Sequence, residues 1–494
     1  MNTDKADPMT EDIILPQLNM LPENAVTRIH EASLEVLNRV GVRVEDPVMR
    51  EQLSGSGCVI EKERVKFPPD FIQEVCAGIC RLFTLTYPPG TGIELGSDTA
   101  LAHPTGGMPF VLDMETGKRR FGRTRDLINM TQLINKLDQI DINCAMLFLD
   151  DVHAEINEIK QCEILLRYSR KPVFILAGSE KKARYIVELF RQAAGMINDQ
   201  QEGHKGLVGI SPESPLNFPQ SITDVMRVII SAGLPVVMLP APLVGFTAPM
   251  TLAGGLVQQN ASMLAFTAMA SRINPATPLI YGARLAFANM RTGSSIWGLP
   301  NVAMAGAYAV QLADYYGFVS DVYGLSCTSC THDAQAGYEK MANGLLPLMA
   351  GADMISGLGG LASLTVASNE QLVIDNEIMR VLRKMVCGIK LNKDTLAVDV
   401  IAAAAEDQSY LLQEHTLKYL RNDEVFIPDL GFDDTWDAWE NQNRWDIRQK
   451  AGHKVRQLLD STSEDLQPDE ADDIFDSIMS AAHAELVKFK QNRN

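Results

Sequence analysis

The densest run of chemically capable side chains in this 494-residue chain is Cys327, Thr328, Ser329, Cys330, Thr331 and His332, followed at once by Asp333, Gln335 and Glu339. Two thiols and an imidazole make three ligands, the count that a catalytic zinc with one open position takes. No second cysteine pair accompanies them, so the thiols read first as packing residues and only second as zinc ligands. Glu180 and Glu213 are candidates for paired carboxylates in acid/base work, but a glutamate opening a helix also serves as a dipole partner or cap. Asp333 is placed either to cap a helix or to touch a ligand. Glu339, a turn further on, favours a cation if it faces inward and is an ordinary helix carboxylate if it faces outward. These residues do not make a hydrolase or dehydrogenase constellation.

The elements that must carry these groups alternate regularly from about 140 to 390. Short apolar runs at 142–149, 172–177, 207–210, 235–239, 278–282, 321–325 and 353–356 are each followed by a helix-length amphipathic stretch. Near-continuous apolar strands imply burial on both faces and hence a parallel sheet with helical crossovers. With one more strand, expected at 108–113, the set closes a (β/α)8 TIM barrel. A nucleotide-binding open sheet would show G-x-G-x-x-G or a P-loop, and neither appears in the expected place. The expected division is an N-terminal α+β cap over 1–105, the barrel over 106–390, and a C-terminal helical extension over 391–494 packed on it. In such a barrel the strand C-terminal ends hold the site, here 179–180, 211–214, 240–242, 281–284, 326–333 and 357–360.

A formal net charge of −18 disfavours nucleic acid and anionic membrane as partners. The stretch 344–367 is weakly polar but broken by Asp353 and several glycines, so no transmembrane span is expected. The first residues lack a basic region followed by an apolar one, and the eight cysteines are scattered. Reduced thiols and a cytoplasmic location are therefore expected.

The segment 333–340 resembles a signature of the trimethylamine methyltransferase family. The blocks 247–255 with 258–261, 290–293, 351–353 with Gly357, 368–377 and 414–417 are similar to that family too, and 41–42 and 67–69 extend the likeness toward the start. The resemblance implies a (β/α)8 barrel whose members pass a methyl group from an amine to the cobalt of a corrinoid held by a separate protein. One branch inserts pyrrolysine inside the barrel. This chain has only the twenty standard residues and resembles the branch without it, which implies quaternary amines such as glycine betaine, proline betaine or carnitine. Alternative readings are a zinc-dependent methyltransferase using Cys327, Cys330 and His332, or a betaine- or cobamide-binding protein without turnover.

The resemblance also ranks the site residues. A desolvated quaternary ammonium calls for aromatic faces. Phe110, Phe246, Tyr281, Phe287, Trp297 and Tyr323 stand near strand ends, with Phe246 and Tyr281 foremost. A substrate carboxylate calls for Arg284, Arg291 or His332. His332, Asp333 and Glu339 are the expected catalytic group, while Ser326, Gln335, Gly357 and Gly359 are expected toward the cofactor, with no tightly bound metal. Trp436, Trp439 and Trp445 lead us to expect a homo-oligomer.

Overall fold

The computed structural model describes residues 12–14, 18–87, 91–97, 99–196, 204–407, 409–422, 424–460 and 469–488. Eight parallel strands form one sheet: β1 (Leu101–Pro104), β2 (Asn143–Cys144), β3 (Val173–Leu176), β4 (Gly206–Ile210), β5 (Val236–Met238), β6 (Leu279–Ala283), β7 (Val319–Tyr323) and β8 (Met354–Leu358). The hydrogen-bonded order runs from β2 through β8 and then to β1. Ala102 O closes the circle by accepting from Asp141 N (2.8 Å) and Ile142 N (3.3 Å). This is the expected barrel, but its closing strand differs from the expectation. Phe110–Leu112 joins a separate sheet at the mouth with Arg119–Phe121, Val366–Ala367 and Gly360–Leu361, and β1 lies ahead of residue 106.

Each strand feeds a helix that returns along the outside: α1 (Thr124–Asn135), α2 (Asn157–Tyr168), α3 (Glu180–Met196), α4 (Gln220–Ser231), α5 (Leu252–Ile273), α6 (Pro300–Tyr316), α7 (Ala334–Met349) and α8 (Asn369–Val386). Polar residues just ahead of these helices start them sharply. Thr251, Asp333 and Ser368 accept from backbone N–H groups of the first turns of α5, α7 and α8.

The period of two in a strand sends alternate side chains inward. Leu101, Ile142, Phe174, Leu207, Val237, Ile280, Val319 and Met354 form a buried interior cluster together with Leu85 and Leu95. The last two belong to the hairpin Phe83–Tyr87/Thr91–Leu95, which plugs the end of the barrel opposite the mouth. The rest of the N-terminal region packs outside. In its helix Glu23–Glu35, His30 Nδ1 bonds Tyr316 Oη (2.8 Å), and Ser33 accepts from Asn260 Nδ2 (3.0 Å).

Past α8 come α9 (Lys393–Leu396), α10 (Val398–Asp407) and α11 (Glu414–Leu420), then α12 (Trp436–Asn441), α13 (Ile447–Asp460) and α14 (Asp469–His483). Helix α13 packs against α8 and α1, and α14 against α3 and α2. No helix among the described residues is long and apolar enough to cross a membrane, and all eight cysteines are free.

Candidate active site

Continuing the inward positions upward from Ile280, Val319 and Leu101 leads to Gly282 and Arg284, Asp321 and Tyr323, and His103 and Thr105. These polar groups meet at the mouth end of the interior. Asp321 is fully buried and pairs with Arg284 Nη2 and with His103 Nε2 at 3.3 Å. Arg284 Nη1 donates to Ala283 O (2.9 Å) and Asp321 O (2.8 Å). Its guanidinium carbon lies 4.2 Å from the centre of the Tyr323 ring. Tyr323 Oη shares a hydrogen bond with Thr105 Oγ1 (3.1 Å), and its ring meets Trp297 edge-on at 4.7 Å.

Charge is unevenly distributed in this floor. His103 Nδ1 faces Pro104 O at 2.6 Å, and Nε2 faces Asp321. Both neighbours offer acceptor oxygens to the ring. Arg284 and His103 thus flank the single carboxylate of Asp321. Burial alone would raise the Asp321 carboxyl, but the Arg284 and His103 charges and their hydrogen bonds hold it down at about 2.

Three expected substrate residues, Arg284, Tyr323 and Trp297, are thus brought together. Tyr281 is not among them. It faces outward to α5, fully buried, with its hydroxyl on Asn260 Oδ1 (3.0 Å) and its ring beside Phe318, so it is a core residue. Phe246 is exposed on the rim, and Phe287 pairs with Val244 in a small sheet there. Phe110 stacks on Phe121 beneath Arg119. Arg291 is exposed in the connection after β6 and has no side-chain partner among the described residues.

The loop from Ser326 to Glu339 proves to be scaffolding for Trp297. Glu339 is buried, its Oε2 accepting from Thr328 N (2.6 Å) and Ser329 N (3.3 Å) and its Oε1 from Gln335 Nε2 (2.9 Å). Both of its oxygens are engaged by protein donors, and Gln335 is one of them. Asp333 caps α7, accepting from Ala336 N (3.0 Å) and Ser329 Oγ (2.9 Å), bonds that lower its pKa. Ser326 Oγ and Asn343 Nδ2 both donate to Trp297 O (3.0 and 2.8 Å).

Gly357 and Gly359 are likewise structural. Gly357 has φ of +101° at a bulge in β8, where a Cβ would lie 3.0 Å from Leu325 C and Ser326 N. Gly359, at φ +75°, would press a Cβ to 2.6 Å from the Leu372 side chain. Neighbouring protein leaves no room for a side chain at either position.

His332 Nε2 bonds Ser368 Oγ (2.8 Å), and its Nδ1 is buried without a partner. Burial first, then the charges of Arg448 and Lys340, push its pKa down to about 4. At neutral pH His332 is therefore a neutral group, unable to donate as an acid. Cys327 is buried, its thiol directed to Gly360 O, while Cys330 is exposed. Among the described residues no cluster of His, Cys, Asp or Glu is placed to hold a metal. Of the two candidate acid/base glutamates, Glu180 binds Arg184 and Glu213 binds Asn217.

His103, Asp321 and Thr105 were missed by sequence reasoning. A carboxylate inside the apolar run 318–323 was the available signal for Asp321. Around the floor, the connections after the strands expose Phe121, Phe148, Phe246, Met250 and Met290, and helix α7 exposes Tyr338, giving an apolar rim.

The family profile and the similar curated sequences agree on one family. The profile of the family described as trimethylamine methyltransferase (MTTB) matches residues 3–484. A glycine betaine methyltransferase of Desulfitobacterium hafniense (strain Y51) is 28% identical over 449 residues, 90% of this chain and 93% of that protein. A trimethylamine methyltransferase from strain DSM 10664 / DCB-2 of that species is 28% identical over 396 residues, 80% of each chain. Among solved structures, the monomethylamine methyltransferase of Methanosarcina barkeri has the same fold, at 12% identity and a TM-score of 0.51 over 88% of this chain and 86% of that one. Matched by the family profile over nearly its whole length, this chain belongs to the trimethylamine methyltransferase family and is a methyltransferase.

Proposed function

We propose that the protein takes a methyl group from a carboxylated quaternary amine, of the glycine betaine, proline betaine or carnitine type, and delivers it to a corrinoid carried by a separate protein. The observation that carries this reading is the floor formed by Arg284, Asp321 and His103 beneath Trp297 and Tyr323. It sets a guanidinium and an imidazole around one carboxylate, and Arg284 keeps Nε–H and one Nη2–H without a protein acceptor among the described residues. Such a floor suits a carboxylate, because charge-assisted bonds from a guanidinium are strong and directional.

With its carboxylate on Arg284, a betaine points its ammonium up toward Trp297 and the mouth. Trp297 is half-buried and anchored through its carbonyl and its Nε1, which donates to Ser295 Oγ (3.2 Å), so its ring is held in place beside the methyl groups. One face of Tyr323 is already covered by Arg284, leaving Trp297 as the principal aromatic surface for the cation. The corrinoid, when bound, would supply a Co(I) nucleophile. A quaternary nitrogen leaves as a neutral tertiary amine, so no acid at the leaving group is required. That agrees with Glu339 and Asp333 being committed to the loop and His332 being neutral. The chain's own tasks are to align the substrate, strip water from the cation and seal the site, and the apolar rim fits a partner-held macrocycle lying over the mouth. The similarity to a glycine betaine methyltransferase supports the same substrate type.

The test is to mix the protein with chemically reduced cobalamin and a panel of amines while following the cobalt absorbance. Glycine betaine, proline betaine or carnitine should be consumed, with the matching tertiary amine as product. Turnover of choline or trimethylamine in preference to every carboxylated amine would overturn the reading.

A further inference from the structure

Shortly after β8 the chain makes one turn of left-handed helix. Ala362, Ser363 and Leu364 stand at φ +50°, +56° and +61°, and Thr365 N closes the turn on Leu361 O (3.1 Å). An L-residue in this region crowds its Cβ against the following carbonyl, so glycine usually takes the place and other residues come singly. The other non-glycine residues with positive φ among those described stand alone or, at 443–444, as a pair. A run of three persists only where its surroundings over-determine it, and strain of this kind concentrates at functional sites.

The surroundings are three other connections of the mouth. Ala362 N donates to Ser329 O (2.7 Å) and Ser363 N to Cys327 O (2.9 Å), which ties the turn to the connection after β7. Phe110 N donates to Thr365 O (3.2 Å), which ties it to the connection after β1. Ser363 Oγ donates to Ser295 O (2.9 Å), in the connection after β6. Of the three side chains, Ala362 packs with Cys327 and Val366, and Leu364 reaches over Gly360. Ser363 alone carries a polar group, and it directs that group to another connection.

Ser295 is where that bond matters. It opens the returning strand of a ribbon, Ala286–Ala288 with Ser295–Ile296, whose tip at 290–294 is exposed. Its own Oγ receives Trp297 Nε1 (3.2 Å). Ser326 and Asn343 fix the Trp297 carbonyl, which places the residue but not the plane of its ring. The plane is set by the edge contact with Tyr323 and by Nε1–H, the indole's single donor. That donor follows Ser295, and Ser295 is held to the β8 side of the mouth by Ser363.

We propose that Ser363 is a positioning residue of the amine site: from its left-handed turn it holds Ser295, and through Ser295 the plane of the Trp297 indole. The inference rests on the reading of Trp297 as the surface for the cation, and one of its tests needs no substrate. With 5-fluorotryptophan in place of tryptophan, the fluorine resonance that vanishes in Trp297→Leu reports this ring directly. Ser363→Ala should shift or broaden that resonance and leave those of Trp436, Trp439 and Trp445 in place; an unmoved resonance overturns the proposal. A displaced resonance without turnover of any betaine would uphold the positioning role and sink the substrate reading alone. In the methyl-transfer assay Ser363→Ala should raise KM for the betaine about 3- to 10-fold, the effect of one lost hydrogen bond, with kcat changed by less than about twofold. Added to Trp297→Leu it should cost less than about twofold more, because the two residues act on one contact. An equal rise in KM in both backgrounds overturns the proposal. Ser363→Gly loses the hydroxyl but relieves the backbone, so it should unfold at higher urea than Ser363→Ala while moving the resonance and raising KM alike. A glycine variant that matches the wild type in ring signal and KM overturns the proposal, and this variant decides the matter if Ser363→Ala fails to fold.

Discussion

Two buried ion pairs at neighbouring strand ends contrast in what they leave over. Lys340 and Asp375, both fully buried, sit behind the β7 and β8 connections. Lys340 Nζ also donates to Leu325 O (2.7 Å), and Asp375 accepts from Gly359 N (2.7 Å) and Gln371 Nε2 (2.8 Å). Arg284 and Asp321 sit inside the barrel, with part of the guanidinium still lacking a protein acceptor. Burial raises the Asp375 carboxyl, Lys340 and the hydrogen bonds only partly offsetting it. At Asp321 burial is again the largest single influence, yet Arg284 and His103 with their hydrogen bonds outweigh it. A pair whose bonds are directed into the protein fastens loops. One with donors to spare is placed to receive a ligand.

The largest effect should come from Arg284→Lys, which keeps the charge beside Asp321 but loses the planar fork. We expect kcat/KM for the preferred betaine to fall about 100- to 1,000-fold, equivalent to roughly 3–4 kcal/mol of transition-state stabilisation. The same variant should leave any slow turnover of choline, which has no carboxylate, unchanged within error. Equal losses with both amines would show that Arg284 is only a structural partner of Asp321, and the contrast between the two pairs would collapse.

Asp375→Asn tests the other pair. It strands Lys340 in the interior, so the unfolding free energy in urea should drop by about 3 kcal/mol or more. Activity per folded molecule should change by less than about threefold, because the loops it holds have other ties. A stable variant with its activity abolished would move Asp375 from the scaffold into the site.

The members of the floor were unequally legible in the sequence. Arg284, Tyr323 and Trp297 were named in advance because strand ends and the connections after them carry the chemistry in a barrel, and the structure brings the three together. Tyr281 misled because both faces of a buried parallel strand are apolar, so alternation does not reveal which parity faces in. Ile280 and Gly282 fix the inward parity, and Tyr281 falls on the other. His103 was lost with its strand. Leu101–Pro104 has only 4 residues and ends on a proline, which reads as a loop and not as a barrel strand. The loop signature at 333–340 was visible, but its use in holding Trp297 depends on contacts between Glu339 and the backbone of Thr328 that no local pattern encodes.

Acid titration should sharpen the comparison because the two aspartates have opposite signs. The folded-state pKa of Asp321 lies below its unfolded value of 3.8, so its contribution is fully present above that value and is lost as pH falls toward about 2. Asp321→Asn should therefore flatten the loss of stability on acidification by about 2 kcal/mol. Asp375 is raised in the fold. It stabilises most below its unfolded pKa and less as pH rises through its folded one, so Asp375→Asn should steepen the acid limb. Urea unfolding at a series of pH values measures both slopes, and slopes of the same sign would refute the distinction.

The smallest expected effect separates recognition of the cation from recognition of the carboxylate. Trp297→Leu removes a ring face worth about 1–2 kcal/mol to a desolvated ammonium, so KM for the betaine should rise about 5- to 30-fold. The neutral-headed isostere 3,3-dimethylbutanoate offers the same carboxylate to Arg284 but no positive charge to Trp297. Wild-type protein should bind glycine betaine more tightly than this isostere, and Trp297→Leu should erase the preference. Arg284→Lys should weaken both ligands alike and preserve their ratio. If Trp297→Leu instead weakens the isostere as much as the betaine, the ring contributes shape alone, and charge recognition rests elsewhere in the mouth.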